Sequence, residues 1–322
     1  MRDRPDLPAG GQIPSAVVDT RVEVQRDGWK AWTLMVVLAL IWDSTFILIK
    51  RGLFHEGRPV LSPVQAASCR LVIAWLALTP FLFRHMHHIW KHRVALLFSG
   101  LVGNAIPAFL FATAQSRIDS SLAGMLNSLT PLFAMVLGAA FFHTRMRGIH
   151  IVGVLLGLLG AVGLMASRGD GGPINLQWAA LLVVLATVCY GLSVNIIKRY
   201  LHEVPPVGIA AMALTFIGPP SLLVAWWSGV PATLATDPQG WSALGYVALL
   251  AVLSSALALV LWNVLLQRTT AVWASSVTYL MPLVAIGWGA LDGEVVRGVQ
   301  FAMMGAILAG LLLINLADRR VG

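Results

Sequence analysis

The sequence predicts an all-α integral membrane protein: ten transmembrane helices arranged as two inverted five-helix repeats, with both termini cytoplasmic. Three observations lead there. The 322 residues are 58% hydrophobic and only 11% charged, with a mean hydropathy of +0.80. Soluble domains hold roughly 45–50% apolar and about 25% charged residues, so this chain has too little charge to coat a soluble surface. Apolar runs of spanning length recur along it. Finally, its two halves resemble each other.

Residues 1–30 read as a disordered cytoplasmic tail, polar and carrying Pro5, Pro8, Pro14 and Gly10-Gly11. They do not fit a cleaved signal peptide, which needs a basic stretch, an apolar core and a small-residue cleavage site. A spanning helix takes about 20 apolar residues. Ten runs meet that need: 31–49, 65–83, 94–115, 120–142, 149–166, 177–197, 207–227, 242–266, 272–291 and 299–316. Short links make one compact bundle. Strand alternation is absent, so helices rather than a barrel are expected. Residues 317–322 form a second cytoplasmic tail.

Orientation follows from the basic residues. The net charge is +8. With the N-terminus inside, cytoplasmic segments hold 15 Lys and Arg and outer segments hold 6, as the positive-inside rule requires. Trp29, Trp32, Trp226, Trp227 and Trp241 flank spans as interfacial anchors would. Topology accounts for the positive charge, and no nucleic-acid partner is implied. Cys69 and Cys189 lie within apolar runs and read as buried thiols.

The repeat places 31–166 against 177–316. WDSTFILIKRGL at 42–53 matches YGLSVNIIKRYL at 190–201, and AGMLNSLTPLFAMVLGA at 123–139 matches ASSVTYLMPLVAIGWGA at 274–290. The offsets are 148 and 151. Five helices per half is an odd number, so the halves are inverted. Inverted repeats mark secondary transporters, whose solute sites lie near the midplane between the repeats.

These features resemble the EamA-type transporters of the drug/metabolite transporter superfamily. The resemblance covers 31–316 and rests on the repeats, on Ile41-Trp42-Asp43-Ser44-Thr45-Phe46 with Lys50, on Arg70, and on the helices centred on Pro131 and Pro282. It implies a ten-helix exporter of small metabolites, often amino acids or related solutes, in the cytoplasmic (inner) membrane. Moving helices would gate a central cavity. Two positions depart from the family: Asp43 stands where a small residue is usual, and His143 replaces an acid that Glu294 supplies in the second half.

Asp43 and Arg70 are the clearest charges within spans. Asp43 lies seven residues, or roughly 10 Å, from the outer end of its helix. A charge at the bilayer centre costs about 2.5–3.5 kcal/mol on insertion scales, so such groups face a partner or a cavity. Two readings stand open: an ion pair stapling the first helix to the second, or a site in which Arg70 takes a carboxylate and Asp43 a proton or ammonium. Trp42, Ser44, Asn104, Gln115, Asn127, Tyr190, Asn195, Trp262, Asn263 and Tyr279 are the further cavity candidates, each also able to serve as an interhelical bond or packing residue. Pro107, Pro131, Pro219, Pro220 and Pro282 interrupt helices, and Pro131 and Pro282 are the gating candidates. Ser120, Ser121, Ala123, Gly124, Ala274, Ser275 and Ser276 permit close helix approach.

His85, His87, His88 and His92 form a basic link, with no Glu or Cys spacing that would make a metal site. Walker A, GxSxG and HExxH patterns are absent, so no cofactor, metal or catalytic residue is expected. The partners are a small-molecule solute and membrane lipid, and a monomer suffices. Rival readings are a lipid or lipid-linked solute flippase of similar fold, an intramembrane enzyme, and a receptor. The enzyme would need clustered acids and histidines within spans, and the receptor would need no inverted symmetry.

Overall fold

The computed structural model describes residues 28–143, 147–166, 175–268, 277–293 and 297–319. Helix α1 is Gly28–Leu53, followed by a hairpin of β1 (Phe54–His55) and β2 (Arg58–Pro59). Glu56 (φ 50°) and Gly57 (φ 79°) close the hairpin, the pair of positive φ values that a two-residue type I′ turn needs. Helix α2 is Pro63–His85. Ser62 and Gln65 cap its start reciprocally, each side chain bonding the other's backbone N–H. A 3₁₀ turn (Met86–His88) leads into α3 (Ile89–Gly100), a π-turn (Leu101–Ala105) and α4 (Ile106–Gln115). Then come α5 (Ser120–Asn127), α6 (Thr130–Phe141) and α7 (Gly148–Ala166).

The second half runs α8 (Asn175–Tyr200), α9 (Pro206–Trp227), the short α10 (Val230–Thr236), α11 (Gly240–Leu250), a second π-turn (Ala251–Leu257), α12 (Ala258–Arg268), α13 (Val277–Leu291) and α14 (Gly298–Arg319). Among the described residues, six helical stretches are long and apolar enough to cross a membrane: Thr33–Leu53, Pro63–Gln115, Ser120–Phe141, Trp178–Tyr200, Pro206–Trp227 and Gly240–Gln267. Gly148–Leu164 and Gly298–Ile314 are shorter apolar helices. The expected run at 272–291 is described from Val277 onward. Ala274, Ser275 and Ser276 lie outside the described residues, as does Glu294.

Large apolar side chains cover the outside. Leu155, Leu159, Val162, Leu222, Leu223 and Phe301 are exposed, as are Trp226, Trp227 and Trp241 near helix ends. An exterior of this kind suits lipid rather than water. Small residues let helices approach closely inside. All of α5 is buried, Ser120, Ser121, Ala123 and Gly124 included. Helix α7 lies along α14, where Gly153 and Gly310 bring the two backbones together. A Cβ added at Gly153 would meet the Gly310 carbonyl at 2.6 Å.

The two proline breaks follow local chemistry. Pro131 cannot donate to the carbonyl of Asn127, and the Thr130 hydroxyl takes that carbonyl instead at 2.9 Å. Thus α5 and α6 meet at a bend. Pro107 occupies the first turn of α4, directly after the π-turn. Pro219 and Pro220 lie inside α9 and are exposed. Pro282 lies inside α13.

At the end of the bundle where α1 finishes, polar contacts join the halves. Lys50 and Arg51 both pair with Asp292, and Arg58 pairs with Asp237 at 2.9 Å. Asp237 also accepts from the Gln239 N–H, and these bonds hold its carboxyl below the usual range. The Gln65 amide donates to the Ser228 carbonyl and the Thr233 hydroxyl.

Candidate functional site: a cavity between the two halves

The π-turns position the site. Each inserts an extra residue into a helical turn and so re-aims the side chains that follow. The two turns start at Leu101 and Ala251, at equivalent places in the two halves. The first brings Gly103 and Asn104 to a central cavity, and the second brings Ser254 and Ser255. From α1 come Trp42, Thr45 and Phe46, from α2 Arg70, from α8 Tyr190 and Ser193, and from α12 Trp262 and Asn263.

The cavity volume is about 140 Å³, on the scale of a cavity that takes a benzene-sized group. Two aromatic groups wall it. Trp42 and Trp262 meet with ring centroids 5.1 Å apart. Phe111 lies between Phe46 at 5.6 Å and Tyr190 at 6.0 Å, stacked on the latter. The cavity extends away from the end where α1 finishes. No lining residue of α1 lies beyond Phe46, whereas Ile197 and Ile209 line the cavity near the end of α8 and the start of α9.

Arg70 borders this space. Its Nε donates to the Ser255 hydroxyl at 2.7 Å, and the guanidinium lies near Tyr190. Among the described residues lining the cavity, Arg70 alone is charged. The carboxamide oxygens of Asn127 and Asn263 are buried and receive no hydrogen bond.

Asp43 takes a different place. It is fully buried, it does not line the cavity, and neither carboxylate oxygen has a hydrogen-bond partner. The ion-pair reading of Asp43 and Arg70 therefore fails. It assumed that a short link makes α1 and α2 close neighbours. Instead α2 packs mainly on α9, and α1 packs on α13 and α11. Arg70 thus reaches the second half, not α1.

Of the other candidates, Trp42, Asn104, Asn127, Tyr190, Trp262 and Asn263 line the cavity. Three serve elsewhere. Ser44 donates to the Leu40 carbonyl at 2.7 Å. Gln115 donates to the Phe46 carbonyl at 2.8 Å, one turn from Asp43. Asn195 donates to the Ala134 carbonyl at 2.7 Å and to Gly191, tying α8 to α6. The side chain of Tyr279 lies outside the described residues. Sequence reading missed Thr45, Ser193, Ser254 and Ser255. Serines and threonines in apolar helices are too common to stand out, and no residue marks the second π-turn.

Helices clothed in apolar side chains around a solute-sized polar and aromatic cavity define a membrane protein that handles small molecules. The EamA-like transporter family model matches residues 29–166 and again 177–316. The chain belongs to the EamA-like transporter family, and it is a multi-pass transporter of the inner membrane. It is 25% identical to the inner membrane transporter YedA of Escherichia coli K12, covering 88% of this chain and 89% of that protein. The "Probable amino-acid metabolite efflux pump" of Salmonella typhimurium is 25% identical, with 92% and 97% covered. The "Probable terminal-alkyne amino-acid exporter" of Streptantibioticus cattleyicolor is 27% identical, with 89% and 93% covered. One crystal structure of a protein shares the fold, with a TM-score of 0.59 at 19% identity, covering 91% of this chain and 98% of the other.

Proposed function

We infer that this chain is a secondary exporter of small organic solutes, working by alternating access across the cytoplasmic membrane. Ten spans form two inverted halves, both termini are cytoplasmic, and the halves rock about the cavity between them. The observation that carries this reading is the composition of the cavity wall. Trp42, Arg70 and Asn104 come from one half, and Tyr190, Ser255 and Trp262 from the other. A rocking motion would therefore remodel both walls of the site at once. The two matches to one family model and the equivalent π-turns support the pseudo-symmetry. Amino-acid-related solutes fit the names of two relatives.

The test is comparative efflux. Cells with and without the protein are profiled for small metabolites released into the medium, with and without a proton-gradient uncoupler. Export predicts at least one organic solute released faster only by expressing cells. Equal release, with folded protein in the membrane, would sink the reading and turn attention to lipid translocation.

A further inference from the structure

The charge of the cavity restricts what it can hold. Arg70 is a cation in the membrane interior, its Nε fixed on Ser255 and its guanidinium against Tyr190. Both partners are neutral, so neither offsets its charge. No acidic residue lines the cavity among the described residues. The sequence supplies none nearby either, since no Asp or Glu occurs between Asp237 and Asp292, the stretch that contains the undescribed 269–276. Asp43, the acid of α1, is sealed behind the wall. A cation held in low dielectric without a counter-charge is costly, and a ligand that supplies the anion relieves the cost.

The rest of the wall describes the body of such a ligand. Trp42, Trp262, Phe46 and Phe111 offer stacking and apolar contact around a compact group. An ammonium would find no carboxylate here. Among the neutral acceptors it would meet are the carboxamide oxygens of Asn127 and Asn263, dipoles that lack a donor and suit an uncharged N–H. The Asn263 amide nitrogen is occupied by the Leu259 carbonyl at 2.8 Å, which leaves its oxygen as the end turned to accept.

We propose that the cavity selects net-anionic organic acids with an aromatic or bulky apolar body, the carboxylate seated on Arg70, over zwitterions and amines of the same body. This inference rests on the transport reading for its purpose, but its test does not.

Three probes share a phenyl body and a nitrogen and differ in charge: N-acetylphenylalanine (−1), phenylalanine (0) and phenethylamine (+1). Binding to the purified full-length protein is measured by calorimetry. The expected order is N-acetylphenylalanine tightest and phenethylamine weakest, the two ends differing by at least about tenfold, or about 1.4 kcal/mol. Arg70→Gln should flatten the order. Arg70→Lys, which keeps the charge but loses the fork, should keep the order with weaker binding of the acid. Ser255→Ala, which releases Nε while leaving the charge, should weaken the acid severalfold and serves if the Arg70 variants fail to fold. A flat or reversed order in the wild type, or no binding of N-acetylphenylalanine, overturns the proposal. The arms also separate the two readings. Acid binding without flux in proteoliposomes would sink transport and leave the anion site. Flux of phenethylamine in preference to the acid would do the reverse.

Discussion

Asp43 is buried among apolar neighbours with both oxygens unpartnered, on the turn of α1 whose Phe46 carbonyl holds Gln115. Lacking access to the cavity, it cannot touch solute there. In the proposed transport cycle it takes up a proton as α1 moves against α13. The expected result for Asp43→Asn follows from that separation. Equilibrium binding of N-acetylphenylalanine should stay within about twofold, as for sites without shared partners. Uncoupler-sensitive efflux should fall by about tenfold, worth roughly 1.4 kcal/mol in the rate-limiting barrier. Efflux unchanged in rate and in uncoupler sensitivity would make Asp43 a packing residue. The sequence made Asp43 and Arg70 stand out because charge is rare in apolar runs. It could not separate their roles, because depth along a helix says nothing of which neighbour the helix faces.

Helices α6 and α8 mirror α13 and α1, each pair joining a proline-centred helix to the first helix of the opposite half. Their approach is close because α8 carries Gly191 at the contact. A Cβ there would meet the Ala134 nitrogen at 2.6 Å, and Asn195 bonds the same Ala134 at its carbonyl one turn along. Gly191→Leu should therefore overpack this contact and cost about 1–3 kcal/mol, seen as a lower unfolding temperature in detergent. Gly245→Leu is the control. Nothing lies within 4 Å of its added Cβ, and the effect should stay within about 0.5 kcal/mol. At this scale much was legible. Apolar run length placed helices, and Pro131 announced the bend between α5 and α6. The π-turns were not legible, because an extra residue in a helical turn needs no particular side chain. Yet those turns supply Asn104 and Ser255, and without Ser255 the setting of Arg70 could not be read from sequence.

Across the whole molecule, polar contacts join the halves at both ends, with Lys91 paired to Glu203 at 2.8 Å at the end away from the Asp292 bridge. Asp292 bridges Lys50 and Arg51, Arg58 holds Asp237, and Gln65 holds the start of α10, all where α1 finishes. Each contact joins the first half to the second. In the proposed orientation this is the outer face, and the cavity extends toward the cytoplasmic side. In the proposed alternating access, opening outward parts α1 from α13 and breaks the Asp292 bridge. The repeat offset sets the counterpart of Asp292 beside Phe142 and His143, where no acid answers Lys198 and Arg199. There Phe142 and Tyr200 meet edge to face instead, with ring centroids 6.4 Å apart. In the proposed transport cycle, the Asp292 bridge serves as a latch at the outer face. Asp292→Asn should weaken that latch and shift the population outward. A single cysteine at Phe111, in a background where Cys69 and Cys189 are alanine, gives the readout. An impermeant maleimide applied from outside should label it severalfold faster in Asp292→Asn than in the parent. Equal labelling would mean that helix packing alone sets the resting state, because partly exposed ion pairs commonly contribute under about 1 kcal/mol.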